Sequence, residues 1–543
     1  MKKAFSVILA ILIAFSCTLP SYAVLPGADS VDVRGKVPVI LIAGDGDALY
    51  SGDGEKIFHF SGMADSLGEG GIELENVAES VANVMLPFVI DGLVKDEWDA
   101  FYENLEKEIG DIFEESRLDN NANPKGGSGI SDARKAEMAE NIATDKKADD
   151  GTYSLFDYRF WYDWRLDPLT VADDFNDYVK AVKKVTGAPK VAVVARCLGS
   201  SVVTAYIAKY GTKDITGVSF NGSVVGGAEI LSEVISGKFR IEGDALSRVL
   251  ADTSATGMID IDSFVVATVD LVIKSGVVDM AITAVEEALY DKLIRGMTSA
   301  LALSTFFTWP GYWAAVKAED YDTAIEYVFG PEGSEKRIQY KGLIEKIENY
   351  DKVVRQNFEK IMKGIPESGA NICVISKYGF QIIPICVSAN IVADQFATVA
   401  CSSFGATTST IYDTLSDEYI AEKTAEGLGR YISPDKKVDA STCLFPDYTW
   451  FVKGSSHSLW TEAENIICYA AAAAEKQMTP SDFPYTQFMV FDDETDTMSP
   501  MTTENCNTEL WEAEKADTPF EKLTVFIKSF VLWIKEALNK IFG

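Results

Sequence analysis

The sequence predicts an α/β fold in which a mainly parallel central sheet carries a large helical cap insertion. Short apolar runs rich in Val and Ile, typical of buried strands, occur at residues 36–43, 190–195 and 215–220. Helical patterns at residues 170–185 and 200–210 alternate with them. Continuous apolar strands that alternate with helices indicate a parallel sheet covered on both faces.

The strand pattern is interrupted in the middle of the chain and then resumes. Residues 156–164 are aromatic and strand-like, whereas residues 225–365 are mostly helical and rich in Val, Ile, Leu and Ala. Strand-like runs return at residues 371–378 and 448–453, and a helical segment at residues 461–474 follows. The sequence therefore predicts a helical cap inserted between the two halves of the sheet.

The length of 543 residues and the hydrophobic content of 47% allow a large core and more than one domain. We predict a signal peptide at 1–23, a first part of the core at 24–224 with a polar and mobile insertion near 117–152, a helical cap at 225–365, a second part of the core at 366–515, and an amphipathic C-terminal helix at 516–543.

The first residues have the pattern of a secretory signal peptide. Two lysines precede an apolar run at residues 7–15, and residues 21–23 (SYA) form a small-x-small cleavage site. The alternative is a lipoprotein anchored at Cys17. Such an anchor needs an aliphatic residue three positions earlier, and Ala14 at that position is a poor match. We expect a secreted or extracellular protein, with association to the cell surface left open.

The formal net charge of −33 excludes one class of partner. Proteins bind nucleic acid by neutralising its phosphates with Lys and Arg, so a polyanion of this size repels it. We expect no nucleic-acid partner, and the charge is consistent with solubility outside the cell.

The cysteines form an uneven set. Of the eight, one belongs to the predicted signal peptide, which leaves an odd number in the mature chain. Six lie in the C-terminal half and could form three disulfides of unknown connectivity, namely Cys373, Cys386, Cys401, Cys443, Cys468 and Cys506. Cys197 lies far upstream of them, and the odd count is compatible with a thiol at Cys197 that forms no disulfide.

The C-terminal segment has its own apolar pattern. Leu, Phe and Ile recur at helical spacing between residues 523 and 541, and lysines lie off that stripe. Such a helix can bind in a membrane interface, or it can dock on the body of the protein. Both interpretations stay open.

Cys197 lies where the chain has the pattern of a nucleophile elbow. The apolar run 191–195 leads into Arg196-Cys197-Leu198-Gly199, and a helical pattern follows. A sharp strand–turn–helix exposes a nucleophile, and a helix N-terminus lowers the pKa of a thiol. The alternative is a cysteine that only packs behind the sheet.

The chain contains two histidines, His59 and His457, and a thiol nucleophile of this kind needs a base. In the nucleophile-elbow fold the order along the chain is nucleophile, acid, histidine, with the histidine on a loop after the last strand. His457 follows the strand at residues 448–453 and fits that order, whereas His59 precedes Cys197. The sequence therefore predicts His457 as the base.

The acid is expected between the strand at 371–378 and the histidine, where it would hold the imidazole in one tautomer. Asp435 is the first choice and Asp439 the alternative, although either could be a plain turn aspartate. For the oxyanion hole we expect the N–H of Leu198 and a second N–H from Gly46 or Asp45, after the first inner strand.

Four segments resemble the lecithin:cholesterol acyltransferase-like family. Residues 160–168 (FWYDWRLDP) resemble its YDWR-x-x-P motif, and residues 37–44 (VPVILIAG) resemble its first inner strand and oxyanion loop. Residues 435–438 (DKKV) are similar to its Asp-Gly-Thr-Val acid segment without the glycine, and residues 308–313 (TWPGYW) to its cap. The resemblance covers roughly residues 36–460.

The resemblance implies an α/β-hydrolase fold and lipid ester hydrolysis or acyl transfer. The chain departs from the family at Cys197, where the family has Ser in Gly-His-Ser-Leu-Gly, and Cys-Leu-Gly is instead similar to the segment of dienelactone hydrolases. We predict an acyl hydrolase or acyltransferase that acts on an ester, thioester or amide carbonyl of a lipid-like substrate, with no cofactor and no metal. The alternative is a catalytically silent hydrolase fold that binds a lipid or a cell-surface partner.

Overall fold

The computed structural model describes residues 33–44, 48–58, 95–238, 292, 306–380, 391–411, 413–493 and 495–506. The strands are β1 (Arg34–Gly35), β2 (Val39–Ile42), β3 (Leu49–Tyr50), β4 (Lys56–Phe58), β5 (Tyr153–Ser154), β6 (Tyr158–Phe160), β7 (Val191–Arg196), β8 (Ile215–Asn221), β9 (Asn371–Tyr378), β10 (Thr407–Thr408), β11 (Val438–Asp439), β12 (Thr449–Lys453), β13 (Phe488–Asp492) and β14 (Thr497–Pro500).

The α-helices are α1 (Asp99–Phe113), α2 (Asp132–Asn141), α3 (Pro168–Thr186), α4 (Gly199–Tyr210), α5 (Glu229–Ile235), α6 (Pro310–Trp313), α7 (Tyr321–Phe329), α8 (Glu335–Gln339), α9 (Lys341–Val353), α10 (Phe358–Glu367), α11 (Val399–Ser402), α12 (Asp417–Ala425) and α13 (Glu462–Ala473). Short 3₁₀ turns connect several of them.

Eight strands form one mixed sheet in the order β14-β13-β12-β9-β8-β7-β2-β6. Seven of them pair in parallel, and β14 joins the β13 edge antiparallel. The predicted α/β fold with a mainly parallel sheet is confirmed. The strand predicted at residues 371–378 has those same bounds in β9, whereas β13 and β14 were not predicted from the sequence.

Strand β7 shows why its sequence is continuously apolar. Val191, Val193 and Ala195 belong to the apolar layer that includes α3 and α4, whereas Ala192 and Val194 belong to the layer that includes α13. Side chains of a strand alternate between the two faces of a sheet. Because both faces are covered by helices, every position of this strand is buried.

Helix α3 begins where the sequence predicts, at Pro168. The Asp167 carboxylate accepts a hydrogen bond from Leu169 N (3.1 Å), so it caps the helix, and a proline fits the first turn because it has no N–H to satisfy. The helix ends at Gly187, whose φ of +67° is left-handed.

The described parts of the predicted cap, 225–238 and 306–365, are helical and contain α5 to α9 and the start of α10. Side chains of α5, α6, α7 and α9 pack into one apolar cluster together with Cys197. These helices lie between β8 and β9 in the chain, and the cluster brings them to the residue that follows β7. A helical cap at residues 225–365 stays a prediction.

The YDWR segment joins the sheet to the insertion and to the cap. The Arg165 guanidinium binds both carboxylate oxygens of Asp163 (2.9 and 2.6 Å) and donates to Ser116 O (2.9 Å) and Ser128 Oγ (3.2 Å). The segment predicted as a mobile insertion contains helix α2, and Ser128 within it is fixed by this arginine. Trp309 Nε1, from the cap, also donates to Ser116 O (3.0 Å).

Several predictions concern residues outside the described ranges: the signal peptide 1–23, Asp45 and Gly46 of the expected oxyanion loop, His59, Cys386 and the C-terminal helix 516–543. Within the described ranges, no helix has both the length and the apolar character required to cross a membrane.

Candidate active site

Cys197 lies in a sharp turn between β7 and α4. Its φ of +47° falls in the left-handed region, which is unfavourable for a residue with a Cβ. The turn is held by two hydrogen bonds to the carbonyl of Cys197, from Ser200 N (3.0 Å) and Ser200 Oγ (2.5 Å). Backbone strain of this kind is characteristic of functional sites, and the turn has the geometry expected of a nucleophile elbow.

Two glycines allow the surrounding chain to approach this turn. A Cβ on Gly199 would lie 2.6 Å from Ile42 O, so only glycine lets the start of α4 pack against β2. A Cβ on Gly44 would lie 2.9 Å from Cys197 Cβ and 3.1 Å from Leu198 N. The end of β2, where an oxyanion loop is expected, is therefore in contact with both Cys197 and the first N–H of the helix.

His457 lies on the loop after β12, as predicted, and its side chain is fully buried. Its Nδ1 lies 2.8 Å from Asp394 Oδ2, and its backbone N–H donates to Asp394 O (2.8 Å). The other oxygen of the Asp394 carboxylate accepts hydrogen bonds from Phe396 N (3.1 Å) and Ala397 N (2.8 Å). The carboxylate is thus fixed on one side by the backbone and directed at the imidazole on the other.

Asp394, and neither of the two predicted acids, binds His457. Asp435 is committed elsewhere: its carboxylate accepts from Tyr378 Oη (3.1 Å) and forms an ion pair with Lys453 Nζ (3.2 Å). Lys377 and Tyr378 are neighbours on β9, so their side chains point to opposite faces of the sheet. Lys377 contacts the histidine loop, whereas Asp435 binds Tyr378 and therefore lies on the other face.

The alternative acid, Asp439, is also occupied by other partners. Its carboxylate accepts hydrogen bonds from Tyr419 Oη (2.8 Å) and Ser441 N (2.8 Å). The second hydrogen bond makes Asp439 the cap of a short 3₁₀ turn, which is the plain turn role considered for it. The similarity of residues 435–438 to the family's acid segment thus pointed to a carboxylate whose partners are Tyr378 and Lys453 and not His457.

The sequence contained a signal for Asp394. The acid was expected between the strand at 371–378 and His457, and Asp394 is the first carboxylate in that interval. Its neighbour Gln395 has a φ of +90°, a strained conformation that turns the chain back so that Phe396 N and Ala397 N reach the carboxylate. Sequence spacing does not reveal such a turn.

The nucleophile turn and the histidine loop meet at the carboxyl end of β8. Cys197 N donates to Asn221 O (3.3 Å), and the next residue, Gly222, lies against the imidazole. A Cβ on Gly222 would be 3.4 Å from His457 Cε1. Cys197, Asp394 and His457 thus follow three parallel strands, β7, β9 and β12, at the carboxyl end of the sheet. Sites of α/β proteins are usually found at this end.

The site faces an apolar interior. Cys197 and Leu198 belong to a buried cluster that also contains aromatic side chains. Some come from residues 225–365, the predicted cap, and others from the rest of the chain. The aromatic side chains include Phe58, Trp164, Trp309, Tyr312, Trp313 and Phe396. Phe396 also contacts the imidazole of His457, with ring centroids 5.1 Å apart. An apolar acyl group is compatible with such surroundings.

The other described cysteines differ from Cys197 in environment. All five are buried and form none of the disulfides considered from the sequence, namely Cys373, Cys401, Cys443, Cys468 and Cys506. Burial raises the pKa of the Cys401 and Cys373 thiols well above the usual range, and raises that of Cys443 to about 11. None of these three lies at a helix N-terminus in an elbow turn.

Within the described ranges, no group of three or more His, Cys, Asp or Glu side chains is arranged to hold a metal ion.

Comparison with known proteins gave distant structural likenesses. No family model matches the chain, and no curated protein matches it in sequence. Among solved structures, the chain is similar to one in the crystal structure of the Tle4-Tli4 complex, with 12% identity and a TM-score of 0.25. That likeness covers 64% of this chain and 76% of the other.

Proposed function

We propose that the protein is an acyl hydrolase or acyltransferase of the α/β-hydrolase type that uses Cys197, His457 and Asp394 as a catalytic triad. The observation that carries the proposal is the buried Asp394–His457 pair beside a strained cysteine turn. A carboxylate–imidazole pair can serve as a catalytic base when a nucleophile lies next to it, and the turn at Cys197 supplies that nucleophile.

The proposed chemistry begins with transfer of the Cys197 proton to His457. The thiolate attacks the acyl carbonyl carbon, and the carbonyl π electrons move to the oxygen, which accepts a hydrogen bond from Leu198 N–H. The imidazolium, stabilised by Asp394, then gives its proton to the leaving alcohol, thiol or amine as the carbonyl re-forms. This leaves an acyl thioester on Cys197.

A second acyl transfer releases the product. Water, or the hydroxyl of an acceptor, loses a proton to His457 and attacks the thioester carbonyl, and the Cys197 sulfur leaves and regains that proton. Hydrolysis and transfer differ only in which nucleophile reaches the thioester.

We propose esters and thioesters with an apolar acyl chain as substrates. The support is the aromatic and aliphatic character of the cluster around Cys197, because contact with apolar surface is worth about 25 cal/mol per Å² buried. Export by the signal peptide at residues 1–23 remains part of this proposal.

The test is acyl-enzyme formation on Cys197. The mature protein is incubated with p-nitrophenyl esters and acyl thioesters of increasing chain length, and the Cys197 peptide is examined by mass spectrometry. We expect an added acyl mass on that peptide and turnover that disappears in Cys197→Ala.

The matched control is Cys401→Ala, a buried thiol in the same apolar cluster whose raised pKa makes it a poor nucleophile. It should keep the wild-type rate. Turnover that survives in Cys197→Ala, or no turnover with any acyl chain length together with an unreactive Cys197, would support the silent hydrolase fold.

A further inference from the structure

A buried ion pair lies directly beneath the histidine loop. Lys377 on β9 and Glu464 on α13 have fully buried side chains, and Lys377 Nζ lies 3.8 Å from Glu464 Oε2. Both charges are enclosed at the end of the sheet that carries Cys197 and His457.

Lys377 binds the backbone of the histidine loop. Its ammonium donates to His457 O (3.1 Å) and Leu459 O (2.6 Å) and lies 4.0 Å from the ring centre of Trp460. These contacts fix the residue that carries the imidazole and the two positions after it. The lysine thus acts on the histidine through its backbone and leaves the imidazole for other partners.

Glu464 connects the same loop to the nucleophile turn. Its Oε1 accepts from Ser455 Oγ (2.7 Å), two residues before the histidine, and its Oε2 accepts from Asn221 Nδ2 (3.2 Å). The carbonyl of Asn221 accepts the N–H of Cys197 (3.3 Å). One carboxylate is therefore linked to both elements whose relative position decides whether the thiol meets its base.

We propose that Lys377 and Glu464 are positioning residues that hold the His457 loop in register with the Cys197 turn. This inference rests on the proposed function. Burying two charges carries a large desolvation penalty, and well-packed apolar side chains would stabilise the fold equally well. The pair is thus poorly explained by stability and well explained by its three hydrogen bonds to the His457 loop and its one to Asn221, which binds the N–H of Cys197.

Charged groups of both signs surround Lys377 and act on its pKa in opposite directions. Burial lowers the pKa of Lys377, and the carboxylates of Glu464 and Asp394 act in the opposite direction. Arg196, which precedes Cys197 and lies 4.5 Å from the Trp460 ring centre, adds to the lowering. The Glu464 carboxylate thus favours the ammonium form of Lys377, which has three donors.

The test compares Lys377→Met with Lys453→Met. Both lysines are buried near the ends of neighbouring strands and paired with a carboxylate, but Lys453 binds Asp435 and Cys506 O (2.5 Å) on the other face. We expect Lys377→Met to lower kcat and the rate of iodoacetamide labelling of Cys197 at pH 7 roughly tenfold or more, with KM within about twofold. Lys453→Met should lower the melting temperature while the folded protein keeps its kcat.

Two further variants separate positioning from folding. Glu464→Gln keeps the size of the side chain and is the test if Lys377→Met does not fold, with the same expected split between kcat and KM. In the double variant Lys377→Met with Glu464→Gln, the melting temperature should recover because no unpaired charge is buried, whereas kcat should stay low.

The outcomes distinguish the inference from the function on which it rests. Wild-type kcat and labelling rate in folded Lys377→Met and Glu464→Gln would overturn the positioning role alone. A kcat that recovers along with the melting temperature in the double variant would do so too. Wild-type protein that shows neither turnover nor labelling of Cys197 would overturn the proposed function itself.

Discussion

Asp394 and His457 are joined twice, by the side-chain contact from Asp394 Oδ2 to His457 Nδ1 and by the backbone hydrogen bond from His457 N to Asp394 O, both 2.8 Å. An ionised carboxylate only accepts hydrogen bonds, so Nδ1 carries the proton in the neutral imidazole. The Nε2 atom is then the basic one, as a base for a thiol requires. The backbone hydrogen bond fixes the main chain of His457 independently of the charge on the ring.

We expect Asp394→Asn to lower kcat by roughly 10²–10⁴-fold and to leave KM nearly unchanged. The amide can place an N–H toward Nδ1, which favours the wrong tautomer, and it cannot stabilise the imidazolium. Steady-state kinetics on the best ester of the chain-length series measures this change.

The control for that substitution is Asp439→Asn, since Asp439 is equally buried and was the alternative acid in the sequence. It should retain wild-type kcat because its partners are Tyr419 Oη and Ser441 N. A large loss in Asp439→Asn with none in Asp394→Asn would contradict the assignment.

The sequence predicted the parts of the site that depend on local pattern. Cys197 was found because a buried strand, small residues and a helix start are contiguous, and His457 because only one histidine follows the last predicted strand. Asp394 was not chosen because its contact with His457 depends on the strained turn at Gln395 and joins residues that are 63 positions apart. Strands β13 and β14, at one edge of the sheet, were missed because the alternating strand–helix pattern was not recognised beyond the helical segment at residues 461–474.

The buried pair of Lys377 and Glu464 shows another limit of the sequence. Lys377 is the seventh residue of a strand that is otherwise mostly apolar, and Glu464 lies in the first turn of α13, where an acidic residue is ordinary. Nothing in either segment indicates that the two charges meet, because the contact forms between a strand and a helix that are 87 positions apart in the printed sequence.

We expect iodoacetamide at pH 7 to label Cys197 before Cys373, Cys401 or Cys443. A raised pKa keeps a thiol protonated at pH 7, and only the thiolate reacts, so these three are protected by protonation as well as by burial. Cys443 should become reactive only as the pH approaches its pKa of about 11. Peptide mapping across a pH series measures the order of labelling.

In that series Cys197 should be labelled ahead of these three thiols at every pH below the Cys443 pKa of about 11, because their raised pKa values keep them protonated. Denatured protein serves as the reference in which all thiols react alike. Labelling of Cys197 that begins only above that pKa would indicate an inert thiol.

We expect Gly44→Ala to reduce kcat at least about tenfold while the protein stays folded. The new Cβ would lie 2.9 Å from Cys197 Cβ and 3.0 Å from its Sγ, so either the nucleophile or the end of β2 must shift. Even a small displacement of a reacting group lowers the rate strongly. The control is Gly364→Ala in α10, where a Cβ would meet nothing within 4 Å and where alanine favours the helix.

A Gly44→Ala enzyme with wild-type kcat would show that the end of β2 does not constrain the nucleophile. Circular dichroism and the melting temperature are measured beside the kinetics. Loss of activity that merely follows loss of folded protein would equally contradict the expectation.

The YDWR segment, recognised from the sequence as a family-like motif, has a clear structural role, and its arginine provides the last prediction. We expect Arg165→Met to lower the free energy of unfolding by about 3–5 kcal/mol, because it leaves the buried Asp163 carboxylate unpaired. It also removes the hydrogen bonds to Ser116 O and Ser128 Oγ that hold the insertion. Urea denaturation measures the first effect, and limited proteolysis within residues 117–152 measures the second.

The matched control is Arg430→Met, since Arg430 also pairs with an aspartate, Asp447 at 3.2 Å, but with 70% of its side chain exposed. Exposed ion pairs contribute little, so its unfolding midpoint should change only slightly. The double variant Asp163→Asn with Arg165→Met should regain stability relative to Arg165→Met, because the buried negative charge is gone. If it regained none, the cost would come from the lost links to the insertion, and the ion pair itself would contribute little.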